Sequence, residues 1–263
     1  MWELILPVLG FLIGIVAAMT GVGGGIIMVP LLTLAYAFVP ANAVGTSLAA
    51  ITFTAVAATI SYSRQRRIYY KAGLLLAIAT VPGAVIGAFL TSVLPAATLG
   101  LIFGLFLIVV AIRISIVGFK KTKTLENEKS ESGDTSERKL LANKKRVAIG
   151  LGLGFFGGLA SGLLGIGGGV VLVPIMTLVL DMSIHTAVAT SMLTMIVTSV
   201  SGVAQHYSLG NINFEFALLL AVGTVMGAQF GAYASKRLSG NNLRIIFSLV
   251  LVVVSVQMIL KFI

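Results

Sequence analysis

The chain has 263 residues, 58% of them hydrophobic and only 10% charged, with a mean hydropathy of +1.08. Soluble domains carry roughly 25% charged residues, so this composition excludes an ordinary soluble fold and points to an all-α polytopic membrane protein. The net charge of +10 would suggest a nucleic-acid partner in a soluble protein, but here the basic residues cluster in loops beside apolar runs, where they set orientation and meet lipid headgroups.

Taken in chain order, the start Met1-Trp2-Glu3-Leu4 has no basic n-region, and its apolar stretch belongs to a repeat described below. It is therefore expected to be mature structure rather than a cleaved signal. Helices are predicted over 4–19, 26–39, 41–62, 71–92 and 97–119. A polar, charge-mixed segment follows from Lys120 to Arg146, with nine basic and five acidic residues, and it has the composition of a flexible linker. Helices resume over 148–163, 170–181, 184–206, 214–236 and 242–262. Several apolar runs reach 18 residues or more, enough to span a bilayer. None shows the alternation of barrel strands.

The two flanks of the linker are copies of one unit. Gly21-Val22-Gly23-Gly24-Gly25-Ile26-Ile27-Met28-Val29-Pro30 recurs as Gly165-Ile166-Gly167-Gly168-Gly169-Val170-Val171-Leu172-Val173-Pro174, an offset of 144 positions. The same offset aligns Ala43-Val44-x-Thr46-Ser47 with Ala187-Val188-x-Thr190-Ser191, and Gly83-Ala84-x-x-Gly87-Ala88 with Gly227-Ala228-x-x-Gly231-Ala232. The expected domains are a first transmembrane repeat at 1–119, a cytoplasmic linker at 120–146 and a second repeat at 147–263.

Loop charge predicts how the copies are oriented. Ser63-Arg64-Gln65-Arg66-Arg67-Ile68-Tyr69-Tyr70-Lys71 is strongly basic, while its counterpart at 207–215 has no basic residue. The next loop reverses this: 91–96 is uncharged, and Ser235-Lys236-Arg237-Leu238-Ser239-Gly240 is basic, with Arg244 just beyond. By the positive-inside rule, equivalent loops face opposite sides of the membrane. The repeats are then inverted, each with a Gly-broken helical hairpin plus three transmembrane helices. The hairpin pieces of 12 to 16 residues reach only about 18–24 Å against a ~30 Å core. A re-entrant hairpin with its tip at the glycines is favoured over two tightly packed short spans.

The glycine motif is not a nucleotide loop: position 26 is Ile and 170 is Val, no strand precedes either copy, and no Gly-Lys-Ser/Thr follows. A broken helix near the bilayer midplane instead exposes amides that lack partners and carry the positive end of the dipole. Two such ends converging would cradle an anion. The candidate substrate-binding residues are Gly21, Gly23, Gly24, Gly25, Thr46 and Ser47, with their equivalents Gly165, Gly167, Gly168, Gly169, Thr190 and Ser191. The hydroxyls either ligate an oxyanion or bond the carbonyl one turn back. Thr20, matched by Leu164, and Ser161, matched by Ala17, border the tips asymmetrically and are weaker candidates. Isolated small-residue pairs such as Gly10/Gly14 and Gly83/Gly87 are expected to serve helix packing.

Charge within the spans is scarce. Arg113 is expected to snorkel to the cytoplasmic interface, with a substrate-pathway role as the lesser reading. Glu3, Asp181 and Glu215 lie near span ends, so a carboxylate relay is not expected. His185 and His206 are read as interfacial polar residues, and Gln229 and Gln257 as candidates to bond a helix or a substrate. With no cysteine, two separated histidines and no paired carboxylates, the chain offers neither a metal cluster nor a nucleophile–base set. An enzyme, a cofactor and a metal are therefore not expected. A non-transporting membrane scaffold is the alternative that glycine-rich packing leaves open.

The doubled Gly-x-Gly-Gly-Gly-x-x-x-Val-Pro motif, the downstream Ala-Val-x-Thr-Ser and a length near 260 resemble the sulfite exporter family of the TauE/SafE type. The resemblance covers the chain outside the linker. It implies a prokaryotic cytoplasmic-membrane permease for sulfite, sulfoacetate or related organosulfonates, and its site residues carry over only at the motif glycines and prolines. The implied partners are a small anionic substrate and membrane lipid, without nucleic acid; assembly as a homodimer and coupling to Na⁺ are left open.

Overall fold

Backbone amides that cannot reach water must pair within their own segment, and the computed structural model is built accordingly. It describes residues 5–119, 144–235 and Leu260, and all regular structure among them is helical. Helix α1 spans Leu6–Thr20; α2 spans Gly25–Pro30 and runs on as a π-helical turn, Leu31–Ala35. Then come α3 (Pro40–Arg64), α4 (Tyr70–Val93) and α5 (Ala96–Phe119). The second half supplies α6 (Lys144–Leu164), α7 (Gly169–Leu178), α8 (Ile184–Ser208) and α9 (Phe214–Ala234). Most of the linker, the predicted helix at 242–262, Glu3, Arg244, Gln257 and the Arg113 side chain lie outside the described residues.

Among the described residues, five helices, α3, α4, α6, α8 and α9, are long and apolar enough to cross a membrane. Their outer faces carry large apolar side chains, such as Ile78 at 71% exposure, Phe156 at 63% and Phe230 at 61%. A soluble protein does not spread such residues over whole helix faces; a lipid-facing one does. Gln229 lies on this exposed face rather than between helices.

Two segments depart from the expected boundaries. Helix α6 is already helical at Lys144, four residues before the expected start, and its 21 described residues reach about 31 Å, so it is long enough to span by itself. The hairpin reading thus fits the lengths of α1, α2 and α7 but not that of α6. The first-half piece expected over 26–39 stops at Ala35, because Ala37 turns left-handed at φ +56. Its repeat equivalent Asp181, at φ +52, ends the second copy in the same way. Pro30 lacks an N–H and crowds the carbonyl four residues back, yet Pro174 sits in a regular α-helix through Leu178, so proline alone does not explain the π turn.

The halves pack by exchanging equivalent contacts. Helix α1 packs tightly on α9, and its repeat equivalent α6 packs tightly on α4. A Cβ added at Gly14 would strike the Thr224 backbone, and one at Gly158 would strike that of Thr80, the matched pair 144 positions away. Gly227 and Gly83 abut the carbonyls of Phe11 and Phe155 in the same matched way. These small residues let helix backbones touch, the packing expected for them. Helices α3 and α8, which correspond to each other, pair at the centre. The main helix pairings of one half are returned by their counterparts in the other, as a two-fold arrangement of the repeats requires.

Candidate functional site

The two glycine loops are built by the same backbone geometry. Gly21, Gly23 and Gly24 have φ of +74, +92 and +85, and Gly165, Gly167 and Gly168 have +69, +76 and +83. Only glycine holds three such angles in four residues without strain, which is why the triplet is written twice. Gly24 and Gly168 are the N-caps of α2 and α7, and neither offers a side-chain cap. The carbonyl of Gly24 takes the amides of Ile27 and Met28, and that of Gly168 takes those of Val171 and Leu172. The first two amides of each helix, at Gly25 and Ile26 and at Gly169 and Val170, have no partner among the described residues.

The fold places the loops face to face. A Cβ at Gly25 would strike the Gly165 carbonyl, and a Cβ at Gly169 would strike the Gly21 carbonyl. Residues 21–25 and 165–169 are buried throughout. The loops are bolted across the two-fold by serine: Ser47 Oγ donates to the Gly165 carbonyl at 2.8 Å, and Ser191 Oγ donates to the Gly21 carbonyl at 3.1 Å. Each serine also shares its proton with the carbonyl one turn back, Val44 and Val188.

The neighbouring threonines do something different. Thr46 Oγ1 accepts the Asn213 amide at 3.0 Å and Thr190 Oγ1 accepts the Tyr69 amide at 3.1 Å. They therefore tie the loops before α9 and α4 to the core, away from the glycine tips. All four hydroxyl residues are fully buried. Of the weaker candidates, Thr20 donates to the carbonyl of Val16 at 2.8 Å, whereas Ser161 Oγ is buried without a partner.

The sequence reading passed over Met195 and Tyr62 and misplaced His206. Met195 is fully buried, and added Cβ atoms at Gly23 or Gly167 would meet its methyl group. It fills the space between the tips, and its repeat equivalent Ile51 lines Gly167 at 3.0 Å from such a Cβ. A methionine on an apolar helix carries no functional signal by itself; only the shared offset of Ile51 and Met195 could have flagged it.

Tyr62 and His206 are the second miss, and also equivalents. Tyr62 Oη donates to the Ala18 carbonyl at 2.6 Å, and His206 Nε2 stands 3.0 Å from the Gly162 carbonyl. A carbonyl only accepts, so Nε2 carries the proton. Each thus pins the helix end that leads into a glycine loop. His206 is fully buried and not the interfacial residue expected, because its ring is drawn inward by that carbonyl; His185 is exposed. Beside Tyr62, Arg67 lies over the ring at 5.6 Å and donates to Gln65 Oε1 and Ser235 Oγ. Burial pushes the Arg67 guanidinium below its ordinary pKa, against the opposing pull of Tyr62.

No Asp or Glu is buried among the described residues. The buried centre thus holds helix-start amides with no partner among the described residues, and no carboxylate. A family model for the sulfite exporter TauE/SafE matches residues 6–258. The chain belongs to the sulfite exporter TauE/SafE family. It is 32% identical to the "Probable membrane transporter protein YunE" of Bacillus subtilis, over 97% of this chain and 96% of that protein. It is 28% identical to a "Probable membrane transporter protein" of Methanocaldococcus jannaschii, over 98% of this chain and 96% of the relative. A second Bacillus subtilis relative, YdhB, shares 32% identity over 84% of this chain and 86% of its own length. No solved structure matches the chain. Family and relatives agree on transport across a membrane, in keeping with the apolar helices.

Proposed function

We propose that the protein is a secondary membrane transporter that exports a small sulfur-containing anion, sulfite, sulfoacetate or a related organosulfonate, by alternating access. The anion binds between the two glycine loops at Gly21, Gly23–Gly25, Gly165 and Gly167–Gly169, with Ser47 and Ser191 bracing the loops and Thr46 and Thr190 bracing the helices behind them. The observation that carries this reading is the apposition of two uncapped, left-handed glycine N-caps in a fully buried centre. Desolvated amides at helix N-termini attract anions strongly because little water competes for them. The loops are packed shut on one another, so entry requires Ser47 and Ser191 to release the opposing carbonyls.

The reciprocal packing of the halves, together with the reversed loop charges, supports inverted repeats. The 120–146 linker and the loop at 63–71 then lie on the cytoplasmic side of a prokaryotic cell membrane. Inversion turns one closed face into the other by exchange of equivalent contacts, which is the geometry that alternating access needs. Export of an anion from a negative-inside cell is downhill by about 2.3 kcal/mol per charge per 100 mV, so no coupling ion is required.

The test is efflux from proteoliposomes loaded with sulfite or sulfoacetate under an inside-negative potential. Anion release above that of protein-free vesicles is expected, and Gly24→Val or Gly168→Val should abolish it. Folded protein that moves no small anion would overturn the reading and leave a scaffold in its place.

A further inference from the structure

The two glycine loops match in backbone but not in the helices behind them. The face of α6 toward α7 carries Gly157, close to Val171 and Leu172, and one turn later Ser161. The Ser161 Cβ lies 3.6 Å from the point where a Cβ on Gly168 would stand. Ser161 is 0% exposed, and its Oγ has no hydrogen-bond partner. A buried hydroxyl in a helix ordinarily turns back to the carbonyl four residues earlier, as Thr33, Thr54 and Ser199 do here. Ser161 does not, although the Gly157 carbonyl is its neighbour.

The first half is dry at the same place. Ala17, the equivalent of Ser161, lines an apolar recess beside Gly24 with Val16, Val22 and Ile26, and that recess has no room for a water. Thr20 borders it, but its hydroxyl is already spent on the Val16 carbonyl. So one loop is backed by a methyl group. The other is backed by an unsatisfied hydroxyl, and the ten-residue helix α7 that follows it opens with the Gly169 and Val170 amides, which have no partner among the described residues.

Resting on the anion reading above, we propose that the substrate's oxyanion head is held by the second loop alone. Ser161 Oγ donates to one oxygen, and the Gly169 and Val170 amides donate to the others. A sulfite or sulfonate head has three oxygens and offers each of the three donors its own acceptor. The first loop, which has Ala17 and no free hydroxyl behind it, then closes over the anion. The protein therefore carries one anion in spite of its two-fold, and Ser161 is a specificity-determining residue.

Sulfite binding to the full chain in nanodiscs tests this, with Ser161→Ala followed by calorimetry and sulfite-dependent amide exchange followed on the wild type. Loss of a hydrogen bond to a charged group predicts a Kd raised about tenfold or more in Ser161→Ala. Its unfolding temperature without sulfite should be unchanged or higher, since an unsatisfied buried hydroxyl is removed. In the wild type, sulfite should slow exchange at 165–172 and not at 21–28. A Ser161→Ala Kd within twofold of the wild type, or equal protection of both loops, overturns the proposal while leaving the anion reading intact. Wild-type protein that binds neither sulfite nor sulfonate overturns both. Should Ser161→Ala fail to fold, the wild-type exchange pattern decides by itself.

Discussion

Alanine at Gly169 probes the contact on which the site depends. Gly169 is the first residue of α7 and does not have a positive φ, so the backbone accepts alanine, which would stabilise the helix by roughly 0.5–1 kcal/mol. The added Cβ, however, collides with the Gly21 carbonyl and comes within 2.8 Å of Met195 Sδ. The thioether can rotate away. The carbonyl cannot, because Ser191 holds it at 3.1 Å. Overpacking of this kind costs about 1–3 kcal/mol, and the strained Ser191 bond adds about 1 kcal/mol. The net loss is about 1–3 kcal/mol. At roughly 2–4 °C per kcal/mol for a chain of this size, the apparent unfolding temperature in detergent, at one scan rate, should fall by about 2–12 °C. Gly25→Ala makes the mirror collision with the Gly165 carbonyl and should cost as much. The double variant is decisive. Both collisions lie at one loop–loop contact, and parting the loops once relieves both, so its cost should be well below the sum of the singles. An unchanged Gly169→Ala, or strictly additive costs, would refute the face-to-face arrangement.

Ser47→Ala and Ser191→Ala each orphan a buried carbonyl of the opposite loop and should each lower stability by about 1–3 kcal/mol, read as the same shift in unfolding temperature. Clearly unequal shifts would contradict the two-fold. Tyr62→Phe removes the 2.6 Å bond to the Ala18 carbonyl and should cost about 1–2 kcal/mol; no loss in a thermal melt would count against the pinning role. Because the chain has no cysteine, single cysteines report sidedness directly. Arg64→Cys and Ser208→Cys occupy equivalent exposed positions and should react with an impermeant maleimide from opposite faces of oriented vesicles; labelling from one face would sink the inversion. Met195→Ala empties a fully buried site and should destabilise by about 2–5 kcal/mol, measured against Ile51→Ala as its repeat equivalent.

Much of this arrangement was legible in the residues, and its limits are physical. The glycine triplets announced themselves because only glycine tolerates successive left-handed angles, and all six observed angles lie there. Small-residue pairs likewise forecast close helix contact, and Gly14 and Gly158 supply it. The reach of α6 was not legible, because Lys144, Lys145 and Arg146 look like linker until they are seen within the helix. Nor was the inward turn of His206, since a polar residue near a helix end has the same sequence signature whether it faces headgroups or a buried carbonyl.

The sequence by itself determined the helical class, the duplication at one fixed offset, the broken helices and the family, because hydropathy, glycine backbone freedom and periodicity are local properties. Only the tertiary structure decided that the Gly21 and Gly165 loops face each other, that Ser47 and Ser191 clasp the opposite half, and that Met195 fills the space between. Only it separated Ser161, unpartnered, from its equivalent Ala17 in a dry recess. Those are contacts between residues more than a hundred positions apart, and their geometry is fixed by how α3 and α8 bring two copies of one unit together.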